Sequence, residues 1–190
     1  MELKRVAVYC GSAKGHSALY EQAAIDMVQA LHQKGYGLVY GGGNVGIMGI
    51  IADEMLRLGG EVIGVIPRQL MEKEVGHTGI TAQHVVENMH ERKAKMFQLA
   101  DACIALPGGI GTMEELFEAY TWSQLGFHDK PCGVLNVNGF YEPLNKLLQH
   151  MVDQGFLKQE FKNMLLFANT PNELLQALEN FTFPKTLKWY

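Results

Sequence analysis

Two rhythms alternate along the chain. Short apolar runs at residues 6–10, 37–40, 61–66, 102–106 and 133–137 are separated by longer stretches with helical spacing. Over residues 17–34, Leu19, Ala23, Met27 and Leu31 recur about four apart, and the pattern stops at Gly35. Similar spacing predicts helices over residues 45–58, 89–99, 112–124 and 141–154. A last helix starts at Thr170-Pro171, with a capping side chain followed by a proline at the first helical position, and ends near Asn180. Residues 81–86 and 164–167 read as further strands. Residues 68–80 have no strong period and read as a loop long enough to be functional. Several runs are apolar throughout rather than alternating, which is the pattern of strands covered on both faces. Strand–helix alternation implies parallel pairing with right-handed crossovers. The expected fold is α/β: a single-domain, Rossmann-like, doubly wound parallel sheet in three α/β/α layers over residues 1–180. Residues 181–190 form a C-terminal tail. In such a fold ligands sit at the carboxyl ends of the strands. That directs attention to residues 10–12, 40–46, Pro67 onward and 106–115.

Composition narrows the chemistry. The 190 residues are 47% hydrophobic and 19% charged, with a formal net charge of −4. That balance argues against a nucleic-acid surface, though helix N-termini can still hold a small anion. The three cysteines, Cys10, Cys103 and Cys132, form no CxxC pair, so buried thiols in a reducing compartment are expected. No run approaches a membrane span, and the first apolar run is too short for a signal-peptide core. A cytoplasmic protein with no membrane partner is expected. The 7 histidines show no metal-ligand spacing, and His84 reads as a packed or surface residue. Neither a metal nor a cofactor is expected.

Two glycine turns carry the candidate chemistry. Gly41-Gly42-Gly43-Asn44-Val45-Gly46 matches GxGxxG after a strand and before a helix. The next strand, however, ends Ile66-Pro67-Arg68, without the acidic residue that a dinucleotide site uses. Close packing of the turn on the sheet is the simpler reading. The second turn, Pro107-Gly108-Gly109-Ile110-Gly111-Thr112-Met113-Glu114-Glu115, is the sharper signal. Its glycines leave backbone N–H groups bare at a helix start, and the Thr112 hydroxyl adds a donor, so the segment suits a phosphate. A capping box, with Thr112 as N-cap and Glu115 reaching back, fits the same letters. Glu114, Glu115 and Glu118 would repel a phosphate unless cations lie nearby. Arg92 and Lys93 are the candidates, and with Lys95 they could equally form a solvated basic face.

These residues resemble a known family. PGGIGTMEE fits PGGxGTxxE, and Met89-His90-Glu91-Arg92-Lys93 fits MxxRK. The GGGNVGIMG turn and Thr121-Trp122-Ser123-Gln124-Leu125-Gly126 also fit. The chain is similar to the LONELY GUY family of cytokinin riboside 5′-monophosphate phosphoribohydrolases from the first strand to about Asn180. The resemblance implies a homodimer that cleaves a nucleoside 5′-monophosphate, AMP or an N6-modified form of it, into free base and ribose 5-phosphate. It implies Arg92 and Glu115 as the catalytic pair. Gly109, Gly111 and Thr112 are implied as the phosphate-holding turn, and Ile110, Met113 and Glu114 beside them as substrate-binding residues. Glu74, Lys93 and Thr121 are implied as further substrate contacts. Dimer contacts are expected on the helices over residues 89–99 and 112–124. Breaking an N-glycosidic bond builds positive charge on the ribose, which a carboxylate stabilises. Glu115 suits that role, and Arg92 suits binding and orientation. The group that protonates the leaving base stays open.

Two other readings use the same residues. Proteins of this type have been labelled lysine decarboxylases, which requires pyridoxal phosphate on a lysine; Lys93 is the lysine nearest the site. A non-catalytic nucleotide or molybdenum-cofactor carrier would bind without turnover. Tyr9, Trp122 and the methionines read as core or dimer contacts.

Overall fold

The computed structural model describes residues 3–71 and 76–184. Seven parallel strands form one sheet in the order β4-β3-β2-β1-β5-β6-β7. In chain order they are β1 (Arg5–Tyr9), β2 (Gly37–Tyr40), β3 (Val62–Pro67), β4 (Ala82–Val86), β5 (Ala102–Ala105), β6 (Cys132–Leu135) and β7 (Leu165–Ala168). The helices are α1 (Ala18–Gln33), α2 (Gly46–Arg57), α3 (Arg68–Met71), α4 (Met89–Leu99), α5 (Ile110–Gln124), α6 (Glu142–Asp153), α7 (Gln159–Lys162) and α8 (Pro171–Glu179).

The period-two geometry of a strand sends alternate side chains to opposite faces, and β1 shows the result. Val6 and Val8 join one core with Met27 and Leu31 of α1, Ile51 and Met55 of α2, and Leu174 of α8. Ala7 and Tyr9 join the other with Met96 of α4, Leu116 of α5 and Leu148 of α6. Both faces of the sheet are therefore covered, which is why the central strands carry uninterrupted apolar runs.

From β1 the chain builds β2, β3 and β4 outward on one side. It then returns to lay β5 along the other flank of β1, with Val6 opposite Ala102 and Tyr9 opposite Ala105. The loops after β1 and β5 lead to helices on opposite faces. The crevice between them is the topological switch point, where such sheets bind ligands.

Some expected boundaries moved. The expected loop over residues 68–80 contains the short helix α3. Strand β6 ends at Leu135 rather than Val137, because a 3-10 turn with Asn138 at φ 49° follows. Helix α5 begins at Ile110, two residues before the expected start, with Gly109 as its N-cap. Thr112 is thus not the N-cap, and the capping-box reading of Thr112 and Glu115 is overturned. The capping box that does form is at α8, between Thr170 and Glu173. Phe181 and Phe183 of the tail pack against the second core. No helix among the described residues is long and apolar enough to cross a membrane.

Candidate active site

The crevice at the β1–β5 switch point opens into two adjoining clefts of about 220 Å³ each. They share Gly11, Ser12 and Gly109. One holds the ionisable candidates: Arg92 and Glu115 face it with Cys10, Met48, Met89 and Thr112. The other is walled by Tyr20, Pro107 and Phe140, with Lys14 at its rim.

Arg92 lies one turn into α4 and is 7% exposed. A buried guanidinium needs partners for its donors, and two backbone carbonyls supply part of that need. Nε donates to the Val65 carbonyl and one terminal nitrogen to the Gly41 carbonyl, each at 3.1 Å. The other terminal nitrogen lies 4.0 Å from a carboxylate oxygen of Glu115. The ends of β2 and β3 therefore hold this cation beside Glu115. The first glycine turn finds its explanation here: a Cβ at Gly41 would collide with the Arg92 guanidinium. At Gly46, which has φ +59°, a Cβ would run into the Ser12 backbone. Gly41 and Gly46 thus serve close packing, the first on Arg92 and the second on the backbone after β1.

Glu115 is 8% exposed and lies on α5, one turn after Gly111 and Thr112. The start of that helix is open. Gly109 has extended backbone and no side chain with which to cap. The first intrahelical bond runs from Met113 N–H to the Gly109 carbonyl at 3.2 Å. Helix geometry gives the N–H groups of Ile110, Gly111 and Thr112 no acceptor within the helix. Together with the helix dipole they present donors of the kind that suits an anion, beside Glu115.

The acidic first turns of α5 do have their cations. Lys93 is 7% exposed, and its ammonium pairs with both Glu114 and Glu118. Burial alone would lower its pKa, but the two carboxylates outweigh that and raise it. A lysine held protonated in this way is a poor Schiff-base nucleophile, so these residues do not fit pyridoxal phosphate. Met113 is half-buried against the second core. Ile110 is 87% exposed at the mouth of the cleft. Thr121 is exposed farther along α5 and is not among the residues lining the cleft. Glu74 lies outside the described residues.

The sequence marks residues 10–12 as a place but gives Cys10 only as a buried thiol and Met48 only as a core or dimer contact; both line the cleft, with Gly11 and Ser12. The available signal was their position at the carboxyl end of the first strand. Burial pushes the Cys10 thiol pKa up and the Glu115 charge adds to it, so Cys10 stays protonated rather than acting as a nucleophile. Among the described residues, no group of three or more His, Cys, Asp or Glu side chains could hold a metal ion.

Known proteins place this arrangement. A family model described as "Possible lysine decarboxylase" matches residues 48–178. A cytokinin riboside 5′-monophosphate phosphoribohydrolase of Oryza sativa subsp. japonica is 47% identical over 94% of this chain and 74% of its own length. One from Arabidopsis thaliana is 47% identical over 94% and 78%. Among solved structures, a molybdenum cofactor binding protein from Rippkaea orientalis superposes with TM-score 0.69 at 19% identity, covering 94% of this chain and 97% of its own. The molybdenum cofactor carrier protein of Chlamydomonas reinhardtii gives 0.68 at 18%, with the same coverage. At such identities these structures share the fold alone. The extent and identity of the sequence matches establish that the chain belongs to the LONELY GUY family of cytokinin riboside 5′-monophosphate phosphoribohydrolases, with the lysine decarboxylase-type model matching more than half of its length.

Proposed function

We propose that this protein hydrolyses the N-glycosidic bond of adenosine-type 5′-monophosphates, releasing the free base and ribose 5-phosphate. The observation that carries the reading is the buried Arg92–Glu115 pair, set beside an uncapped helix N-terminus at the switch point. The phosphate binds the N–H groups of Ile110, Gly111 and Thr112, with the Thr112 hydroxyl adjacent. That remote contact fixes the ribose against Glu115. As the bond from C1′ to the base nitrogen lengthens, positive charge grows on the ribose ring. The Glu115 carboxylate stabilises this charge and accepts a proton from the attacking water. Water oxygen bonds to C1′, the base leaves with the bonding pair, and a proton completes it. Arg92 orients Glu115 and binds the substrate. Lys93 contributes by neutralising Glu114 and Glu118, which would otherwise oppose the phosphate. Glu74 and Thr121 are assigned as further substrate contacts.

We assign a homodimer that buries the face of α4 and α5. There Phe97 meets Trp122 edge to face, with ring centroids 5.9 Å apart, along an open groove that includes Val86 and Lys95. Val85 and Met89 are exposed apolar residues beside it. The cytoplasm is the compartment we assign. Cys103 and Cys132 lie in direct register on adjacent strands and remain free thiols, as a reducing environment keeps them.

Chromatography after incubation with AMP or isopentenyladenosine 5′-monophosphate, with the nucleosides as controls, tests the activity. Free base and ribose 5-phosphate from the monophosphates alone are expected. Intact nucleotide that stays bound without release of base would overturn the hydrolase reading in favour of a carrier.

A further inference from the structure

Leu106 is the last residue before Pro107-Gly108-Gly109, and both of its backbone polar groups are engaged. Its N–H donates to the Tyr9 carbonyl at 2.9 Å, carrying the β1–β5 pairing one residue past the strand. Its carbonyl accepts a hydrogen bond from the Tyr141 hydroxyl at 2.7 Å. Tyr141 reaches this point from the N-cap of α6, the long helix after β6.

We propose that Tyr141 is a positioning residue for the phosphate-binding turn: its hydroxyl fixes the Leu106–Pro107 peptide and so aims the Ile110, Gly111 and Thr112 N–H groups. Three observations support this. The turn has little stiffness of its own, because two glycines follow Pro107 and each has wide backbone freedom. It is braced by contacts instead: the Thr112 side chain folds back against Gly108, and Gly108 lies against Gly11, so that a Cβ at Gly108 would collide with Thr112 and come within 2.9 Å of Gly11 N. Tyr141 supplies the brace on the opposite side, at the residue where the turn leaves the sheet.

Tyr141 is itself fixed. Its N–H donates to Asn136 Oδ1 at 2.8 Å. Asn136 in turn donates from Nδ2 to Glu142 at 2.8 Å and to Asn169 at 3.3 Å. The Phe140 ring meets the Tyr141 ring edge-on, with centroids 5.0 Å apart. The Tyr141 side chain is 1% exposed, and burial pushes its pKa up, so the hydroxyl remains a donor. A corner built from β6 and α6 therefore sets the geometry of a socket on β5 and α5. Hydrogen-bonded recognition tolerates misplacement of only about 0.5 Å, so losing this brace weakens the grip on phosphate before it disturbs Glu115.

The inference rests on the phosphoribohydrolase reading, and the test separates the two. Tyr141→Phe removes one oxygen and keeps the ring. KM and kcat for AMP are measured beside the calorimetric Kd of ribose 5-phosphate. The expected result is a parallel rise of KM and Kd of about tenfold, with kcat within about threefold of wild type. Unchanged KM and Kd overturn the proposal, as does a fall in kcat with no change in Kd, because a general structural defect would act that way. If wild type releases no base from any monophosphate, the hydrolase reading fails, while the Kd comparison still decides the role of Tyr141. Should Tyr141→Phe not fold, Asn136→Ala, which withdraws the acceptor for the Tyr141 N–H, must raise the same Kd; an unchanged Kd there overturns the proposal.

Discussion

At the scale of single residues the site is an arrangement of charges with few degrees of freedom. Glu115 faces a guanidinium that two backbone carbonyls hold in place. Glu115→Gln keeps the shape and removes the charge. It should lower kcat by at least about a hundredfold while AMP still binds; near-normal turnover would refute the assigned role. Gly41→Ala probes the same pair from behind. Its methyl group displaces the Arg92 guanidinium, so kcat should fall at least about tenfold in a folded protein. Unaltered kinetics there would show that the position of Arg92 is not critical. Arg92, Glu115 and the acidic crowding around them were legible in the sequence because their motifs and charges are local. The seat of Arg92 was not. Val65 and Gly41 come from different strands, and only the sheet order brings their carbonyls to one guanidinium. Nor could spacing show that Lys93 is held by Glu114 and Glu118, since that contact needs α4 and α5 packed side by side.

Elements were read well where periodicity is strong and less well where function has altered the ends. The strands β1 to β5 and helices α1, α2, α4 and α8 fall within one to two residues of expectation. The spacing predicts the start of α5 two residues late because threonine is a common N-cap and glycine offers no capping side chain. The feature that hides this boundary is the one that leaves the first N–H groups without a side-chain cap. Polar contacts also join helices near the surface. Glu54 on α2 accepts from Arg57 and from Gln29 of α1, and those bonds lower its pKa from 4.5 to about 2. Its folded form therefore holds fewer protons than its unfolded form between those values. The stabilisation is complete above about pH 4.5 and is lost as pH falls toward 2. Urea unfolding of Glu54→Gln should show a smaller loss of stability between pH 6 and pH 3 than wild type. An equal loss in both proteins would remove Glu54 from the acid transition.

For the whole molecule, the fold class was legible because strands buried on both faces have no polar side to show. The assembly was not, since a helix face that binds a second copy carries the same apolar residues as one that binds the sheet. If α4 and α5 form the dimer face, Trp122→Glu places a charge in the groove beside Phe97. Light scattering should then find the mass halved, with the far-ultraviolet circular dichroism unchanged. A dimer that survives this substitution would place the interface elsewhere.

The switch-point position of the site also has a consequence in time. The ribosome delivers β1 to β4 first, and this segment contains Arg92's carbonyl partners at Gly41 and Val65 but neither the phosphate turn nor Glu115. The site closes only when β5 pairs with β1, a contact between segments far apart in the chain and therefore slow to form. During refolding from denaturant, helical signal should recover ahead of catalytic activity. On the proposed assignment of the site, the enzyme is thereby silent until its sheet is joined at the centre, and a chain truncated before β5 is expected to bind no nucleotide however well its first half has folded.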